Sequence, residues 1–365
     1  MSNTDSTAAL PEKASLDQLR KQAKELRTSE SHPTLAAAQF ALARHYGFPS
    51  WPKLKLHVEQ AALKQAIVDD DGDAARKLFA ENRKLATTFL EGEELPIHRA
   101  AEHDAPAVLE AIVQAGAELD AKYSNSAHTP LSWAVTCWSF QAAAKLVELG
   151  QEPDLFCAAG MGLLDKVQAF WVDGKLRKSP SQTGSSRVAD SGEALPRPPS
   201  DDQDQVSDAL YIACRAGRLE VARWLLDHGA DPNWRGFIGG SCLAWAEFDG
   251  TPALCALLRE RGGSDDLVDQ QFLAPPRLFG LMILTAWGFP PYRLRARLEA
   301  APELLNAQGG YGTLLNAAAY NGQTGAAKVL IELGADRSIR NARGLTPAEL
   351  AESRGHKDLA ALLRA

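Results

Sequence analysis

The feature that most constrains this chain is a recurrence. The run "DALYIACRAGRLEVARWLLDHGADPN" begins at Asp208, and "SCLAWAEFDGTPALCALLRERGG" begins at Ser241, 33 residues later. Thr313 and Thr346 hold matching places in "GTLLNAAAYNGQTGAAKVLIELGADRS" and "GLTPAELAESRGHKDLAALLRA", again 33 apart. Pro96 and Pro130 match in "LPIHRAAEHDAPAVLEAIVQAGAELD" and "HTPLSWAVTCWSFQAAAKLVELGQEPD", 34 apart. A repeat of this period predicts small supersecondary units stacked in a row, not one globular core.

Each unit reads alike. A Thr-Pro pair or its substitute opens a short helix, because proline is tolerated at the first helical position. Small alanines follow, which let neighbouring helices approach closely. A glycine-centred turn leads to a second helix with apolar residues at 3–4 spacing. In "GRLEVARWLLDHGADPN", Leu219, Val221, Leu225 and Leu226 share one face, and Glu220, Arg223 and Asp227 lie on the other. Gly229 then marks the helix stop. One such unit has an apolar face with nothing to cover it, so units must stack to bury it.

The residues that open and close these units are Thr129-Pro130-Leu131, Pro96-Ile97-His98, Thr346-Pro347, Gly217 to Val221, Gly229 to Asn233, Gly334-Ala335-Asp336 and Gly355-His356. In these landmarks the chain resembles the ankyrin-repeat family over roughly residues 63 to 365. The resemblance implies a mainly α fold: an ankyrin-repeat solenoid of about eight or nine repeats, some degenerate, with a helical N-terminal cap. "LKQAIVDDDGDAARKLFAENRKL" reads as a first repeat, and "DLFCAAGMGLLDKVQAFW" as a shortened fourth. "LFGLMILTAWGFPPYRLRARLEAAPELLN" reads as a seventh whose Pro290-Pro291 should disturb the turn between its helices. The family's inter-repeat hydrogen bond falls on His98.

The domains drawn on this basis are a disordered N-terminus at 1–14, a helical cap at 15–62, a first block of repeats at 63–172, a flexible insertion at 173–206 and a second block at 207–365. The insertion, "DGKLRKSPSQTGSSRVADSGEALPRPPSDDQDQV", is rich in Ser, Pro, Gly and Asp and cannot bury enough surface to offset its ordering entropy. It either interrupts one array or separates two; alternatively it tethers a binding motif. The segment "YGFPSWPKLKLHVEQ" is similar to one that precedes the array in bacterial ankyrin-repeat proteins, and Phe48 and Trp51 are read as covering the first repeat.

Known chemistry finds no foothold. Five cysteines, Cys137, Cys157, Cys214, Cys242 and Cys255, lack metal-site spacing and read as small buried thiols of a reducing, cytoplasmic setting. His98 and His103 are five apart, which on a helix turns their rings ~140° away from each other. The glycines of "GFIGGS" and "AQGGYG" match no phosphate-binding pattern and read as permissive turns. The acids Asp69 to Asp71, Asp201 and Asp202 read as turn and linker. No catalytic group, cofactor or metal is predicted, no apolar run approaches a membrane span, and the chain is read as a monomer. The net charge of −7 argues against sequence-independent nucleic-acid binding. Residues 13–64, however, carry a local excess of five positive charges.

The expected function is therefore non-catalytic binding of a partner protein on the concave face that the resemblance implies. The alternatives are a regulator that binds nucleic acid or an acidic partner through the basic N-terminal segment, and an unrecognised enzyme or an immunity or effector protein. Carried over from the family's variable positions, the candidate contacts are Glu102, His103, Thr136 and Cys137, Arg215, Phe248, Trp287, Tyr320 and Asn321. Hairpin-tip candidates are Asn125, His128, Phe237, Ile238 and Arg343, with Trp234 just before one tip. Trp234, Phe237, Ile238, Phe248 and Trp287 are expected to form an exposed aromatic patch with Tyr320 and Arg215 at its edges, or else to fold back onto their own hairpins. Aromatic residues and arginine are the usual anchors of binding surfaces.

Overall fold

The computed structural model describes residues 8–11, 14–27, 32–90, 94–122, 128–177, 202–236, 239–269 and 271–365. They are mainly helical and divide into two compact units, 1–151 and 152–365. The first unit holds α1 (Leu16–Arg27), α2 (Leu35–His45), α3 (Trp51–Val68), α4 (Gly72–Glu81), α5 (Pro96–Glu102), α6 (Pro106–Gln114), α7 (Pro130–Thr136) and α8 (Phe140–Glu148). Here α1, α2 and the start of α3 close on a cluster of Leu19, Ala23, Leu42, Ala43, Leu54 and Val58. Phe48 and Trp51 pack on this cluster. Pro52 sits in the first turn of α3, where proline is tolerated; no Gly or Pro follows it up to Val68, and α3 runs unbroken through position 62 into the first repeat.

From α3 onward the helices pack in pairs and in two layers. In the first unit α3, α5 and α7 follow one another in one layer, and α4, α6 and α8 in the other.

The second unit contains α9 (Leu155–Met161), α10 (Leu164–Gln168), a short hairpin of β1 (Trp171–Val172) and β2 (Lys175–Leu176), α11 (Asp202–Arg215), α12 (Leu219–Asp227), α13 (Cys242–Asp249) and α14 (Pro252–Glu260). It continues with α15 (Pro276–Ala286), α16 (Pro291–Ala300), a hairpin of β3 (Gln308–Gly309) and β4 (Gly312–Thr313), α17 (Leu314–Tyr320), α18 (Thr324–Glu332), α19 (Pro347–Ser353) and α20 (Lys357–Arg364). Helices α9, α11, α13, α15, α17 and α19 pack consecutively in one layer. Helix α9 packs directly on α11, although the insertion lies between them in sequence. The ends of that insertion are ordered: 173–177 complete the first hairpin and 202–206 open α11. Asp202, read as linker, sits instead in the first turn of α11, where a carboxylate favours the positive end of the helix. The core of the insertion, 178–201, lies outside the described residues, as do 1–7 of the N-terminus.

Local chemistry explains the helix starts. Thr129, Thr313 and Thr346 cap α7, α17 and α19: each hydroxyl accepts from the main-chain N–H three residues on, and that residue's side chain accepts from the threonine N–H. Pro291 does not disturb the turn ahead of α16. It occupies the first helical turn, where its missing N–H is no loss, while Gly288 takes the positive φ that the turn needs.

A recurring joint holds neighbouring pairs together. The residue that caps the second helix of a pair donates to a carbonyl at the end of the first helix of the preceding pair. Ser139 Oγ donates to Glu102 O, Arg218 Nε to Gly160 O, and Gln323 Nε2 to Ala286 O. His356 Nε2 lies 3.3 Å from Tyr320 O. At α16 the cap is a proline, and Arg297 takes over, donating to Glu247 O at 2.6 Å and Phe248 O at 3.0 Å. Replacing Arg297 by methionine keeps the stem and removes both charged donors. We expect a loss of about 2 kcal/mol, read as a lowered urea midpoint for the second unit.

Candidate functional site

In the second unit, the ends of α15 and α17 and the start of α19 meet three connections: residues 271–272 ahead of α15, the β3–β4 hairpin, and residues 341–343 ahead of α19. Between them lies a cavity of about 350 Å³. Its walls carry four aromatic rings, Phe272, Trp287, Tyr311 and Tyr320, with Ala286, Ala317, Ala342 and Leu350 between them. Its polar groups are Gln271, Asn316, Asn321, Asn341 and Arg343. Among the described residues no carboxylate lines it, and Arg343 supplies the one formal charge.

Packing keeps the hairpin in place. Gly310 N donates to Phe272 O at 2.9 Å, and a side chain at Gly309 would collide with that same carbonyl. Gly312, at φ +110°, turns the chain into α17 directly above Asn316. Three of the rings stand partly in solvent: Trp287 is 36% exposed, Tyr320 40% and Tyr311 58%. The guanidinium of Arg354 sits 4.3 Å from the centre of the Tyr320 ring.

The cavity brings together four of the residues picked from sequence: Trp287, Tyr320, Asn321 and Arg343. The others lie elsewhere. Phe248 is only 2% exposed. Gly280 lets α15 approach the backbone of α13 at Phe248, and Phe289 and Arg293 then cover the ring. Arg215 is 3% exposed, with its guanidinium 4.3 Å from the centre of the Trp245 ring. Neither residue belongs to an exposed patch. Trp234 is half-buried and donates its indole N–H to Asp208 at 3.2 Å. His128, read as a hairpin tip, is buried beside Ser132.

Glu102, His103 and Thr136 are in the first unit. There Glu102 and His103 are exposed, Glu102 accepts from the Trp133 indole, and Thr136 Oγ1 bonds back to Ser132 O. Cys137 is half-buried and the other four cysteines are buried. Asn125, Phe237 and Ile238 lie outside the described residues.

Several lining residues escaped the sequence reading. Gln271 and Phe272 come from an irregular connection. Tyr311 sits in a glycine run read only as a turn. Asn316 has a visible signal, the Thr-x-x-Asn spacing of a reciprocal helix cap, but that spacing does not tell where the remaining amide nitrogen points.

Acids occupy some of the basic N-terminal side chains. Arg20 bonds Glu81 and Asp17, Lys21 lies 4.0 Å from Glu25, and Lys55 lies 3.4 Å from Glu59. Among the described residues no helix is long and apolar enough to cross a membrane, and no group of three or more His, Cys, Asp or Glu could hold a metal ion.

Two stretches match family models. Residues 208–236 match the ankyrin repeat, and residues 298–351 match ankyrin repeats in many copies. No curated protein matches the chain. The second stretch covers α17 and the start of α19, the helices that supply Asn316, Tyr320, Asn321 and Leu350 to the cavity. Repeats of this family are in general protein–protein interaction modules, and these two stretches of the chain are similar to them.

Proposed function

We propose that the chain is a non-catalytic interaction scaffold, and that the α15–α17–α19 side of its second unit receives a partner protein. The observation that carries this reading is the ring of exposed aromatic side chains, Trp287, Tyr311 and Tyr320, around a cavity. Solvent-exposed rings at the mouth of a recess supply the buried-anchor geometry on which binding hot spots depend. In the ankyrin-repeat family the variable positions fall at the ends of first helices and on hairpin tips, and the places of Trp287, Tyr320, Asn321 and Arg343 support this reading. The chemistry of the lining does not resemble a reaction centre: it holds amides, rings and one guanidinium, with no nucleophile–base pair.

The test is capture of a partner by the intact chain from cells that make it, compared with Tyr320→Glu and Trp287→Glu. Tyr320 is partly solvated, so Tyr320→Glu should unfold like the parent; Trp287 also packs against Trp245, so Trp287→Glu is compared at equal folded fraction. Capture should fall at least about tenfold. Undiminished capture by both variants would remove this surface from the function.

A further inference from the structure

We propose that the α15–α17–α19 cavity is a receptor for an aromatic group that carries a carboxylate. The proposal rests on the receptor-surface reading above and names its chemistry.

The argument begins with Asn316. Its side chain is completely buried, yet it lines the cavity. Its Oδ1 accepts from Thr313 N at 2.9 Å and from the Thr313 hydroxyl at 3.0 Å. A main-chain N–H can only donate, so this bond fixes which end of the amide is oxygen. The nitrogen, Nδ2, is left with no acceptor in the protein. A buried donor without a partner is costly, and one lining a recess calls for an acceptor on a ligand.

Asn341 repeats the arrangement. Its Oδ1 accepts from Arg343 N at 2.9 Å and Leu345 N at 3.1 Å, so Nδ2 is what this amide can offer to the cavity. The exposed Arg343 adds a guanidinium, and none of the described lining residues is a carboxylate. Two amide donors and a cation select an acceptor-rich anion, and a guanidinium pairs well with a carboxylate.

The walls set the rest of the ligand. Trp287 and Tyr320 present large rings, and Arg354 over the Tyr320 ring adds positive charge at the rim. A bare anion would leave the rings without contact. A neutral ring would leave the Asn316 donor unmatched. An ammonium group would meet Arg343. A ring with an attached carboxylate satisfies all three. The cavity volume of about 350 Å³ falls at the small end of ligand pockets, which span about 300–1,000 Å³. Two sources present this chemistry: a free aromatic acid, and the C-terminal aromatic residue of a polypeptide.

Calorimetric titration of the full chain decides the matter. The probes are N-acetyl-tryptophan, its amide, and the peptide Gly-Ser-Gly-Ser-Gly-Trp with a free or an amidated C-terminus. In each pair the free acid should bind at least about tenfold more tightly than the amide. A tighter peptide acid assigns the site to polypeptide ends; a tighter or equal N-acetyl-tryptophan assigns it to free acids. Arg343→Gln should erase most of the preference for the acid. Asn316→Asp keeps the Thr313 cap and turns an oxygen toward the ligand, and it should weaken the acid further. If Asn316→Asp fails to fold, the Arg343→Gln comparison decides alone. Equal affinity for acid and amide, no binding of either, or an Arg343→Gln variant that keeps the full preference would overturn the proposal.

The two readings fail separately. Partner capture that depends on Tyr320, without any preference for the acid, ends only the carboxylate proposal. A preference for the acid, with capture indifferent to Tyr320 and Trp287, ends only the protein-receptor reading.

Discussion

Trp245→Ala is expected to lower the stability of the second unit by on the order of 4 kcal/mol, the largest effect of any single replacement considered for it. Trp245 is among the largest fully buried side chains of the protein. It lies at the centre of an aromatic cluster, with ring centres 5.2 Å from Phe279, 5.6 Å from Phe248 and 6.3 Å from both Tyr211 and Trp287. These rings come from α11, α13 and α15 and from the turn after α15, so the indole ties three successive repeats.

Alanine would leave a cavity that rings on three rigid helices cannot close. It would also take the aromatic face from the buried Arg215 guanidinium. Against the usual 5–15 kcal/mol of a folded domain, a loss near 4 is a large fraction. Urea unfolding followed by circular dichroism measures it. Trp245→Phe should lose less than half as much. Arg215→Met in the alanine background should restore part of the loss, because it removes a buried charge that has lost its ring. A loss below about 1 kcal/mol for Trp245→Ala would contradict this account.

The second expectation concerns acid. His98 is fully buried on α5, with the backbone of Ala121 and His128 beside its ring. Burial pulls its pKa down from 6.5 to about 4, even though those backbone groups favour the charged form. The native state therefore keeps His98 neutral at pH values where the unfolded chain already binds a proton. Above pH 6.5 the two states bind equally and the group adds no slope. Between pH 6.5 and 4 the unfolded state holds more protons, so stability falls as the pH falls, by about 3 kcal/mol across the window. Below pH 4 no further loss accrues from this residue.

Glu94 works in the opposite sense. Its burial, only partly offset by Arg99, raises its pKa, so the native state gains a proton first. Its window lies around and just above the ordinary carboxylate range, and so only the upper part of the His98 window is free of it. Denaturation of the parent and of His98→Gln at pH 7, 5.5 and 4.5 isolates the histidine. The difference between the two proteins should shrink steadily toward acid. A constant difference would mean that His98 titrates normally in the folded chain.

How much of this was legible beforehand depended on which atoms carried the information. Helix pairs were readable because Thr-Pro starts and glycine stops act through the backbone of their own residues. His98 was readable as an inter-repeat histidine because its place beside Pro96 is local. Phe248 and Arg215 were misplaced because their cover comes from elsewhere in the chain. Gly280 and Phe289 bury one, and Trp245 faces the other. The same limit applied to the cavity. Trp287, Tyr320, Asn321 and Arg343 occupy repeat positions that could be counted off. Gln271, Phe272 and Tyr311 reach the cavity from connections that follow no period.

The joints between helix pairs have a further consequence. Their donors are a serine, an arginine, a glutamine and a histidine, yet each reaches a main-chain oxygen. A side-chain replacement can exchange one reach for another, but it does not remove that oxygen. Sequence at these places is therefore free to wander while the spacing of the stack stays put. Pairs of helices pack alike well beyond the two stretches that match family models.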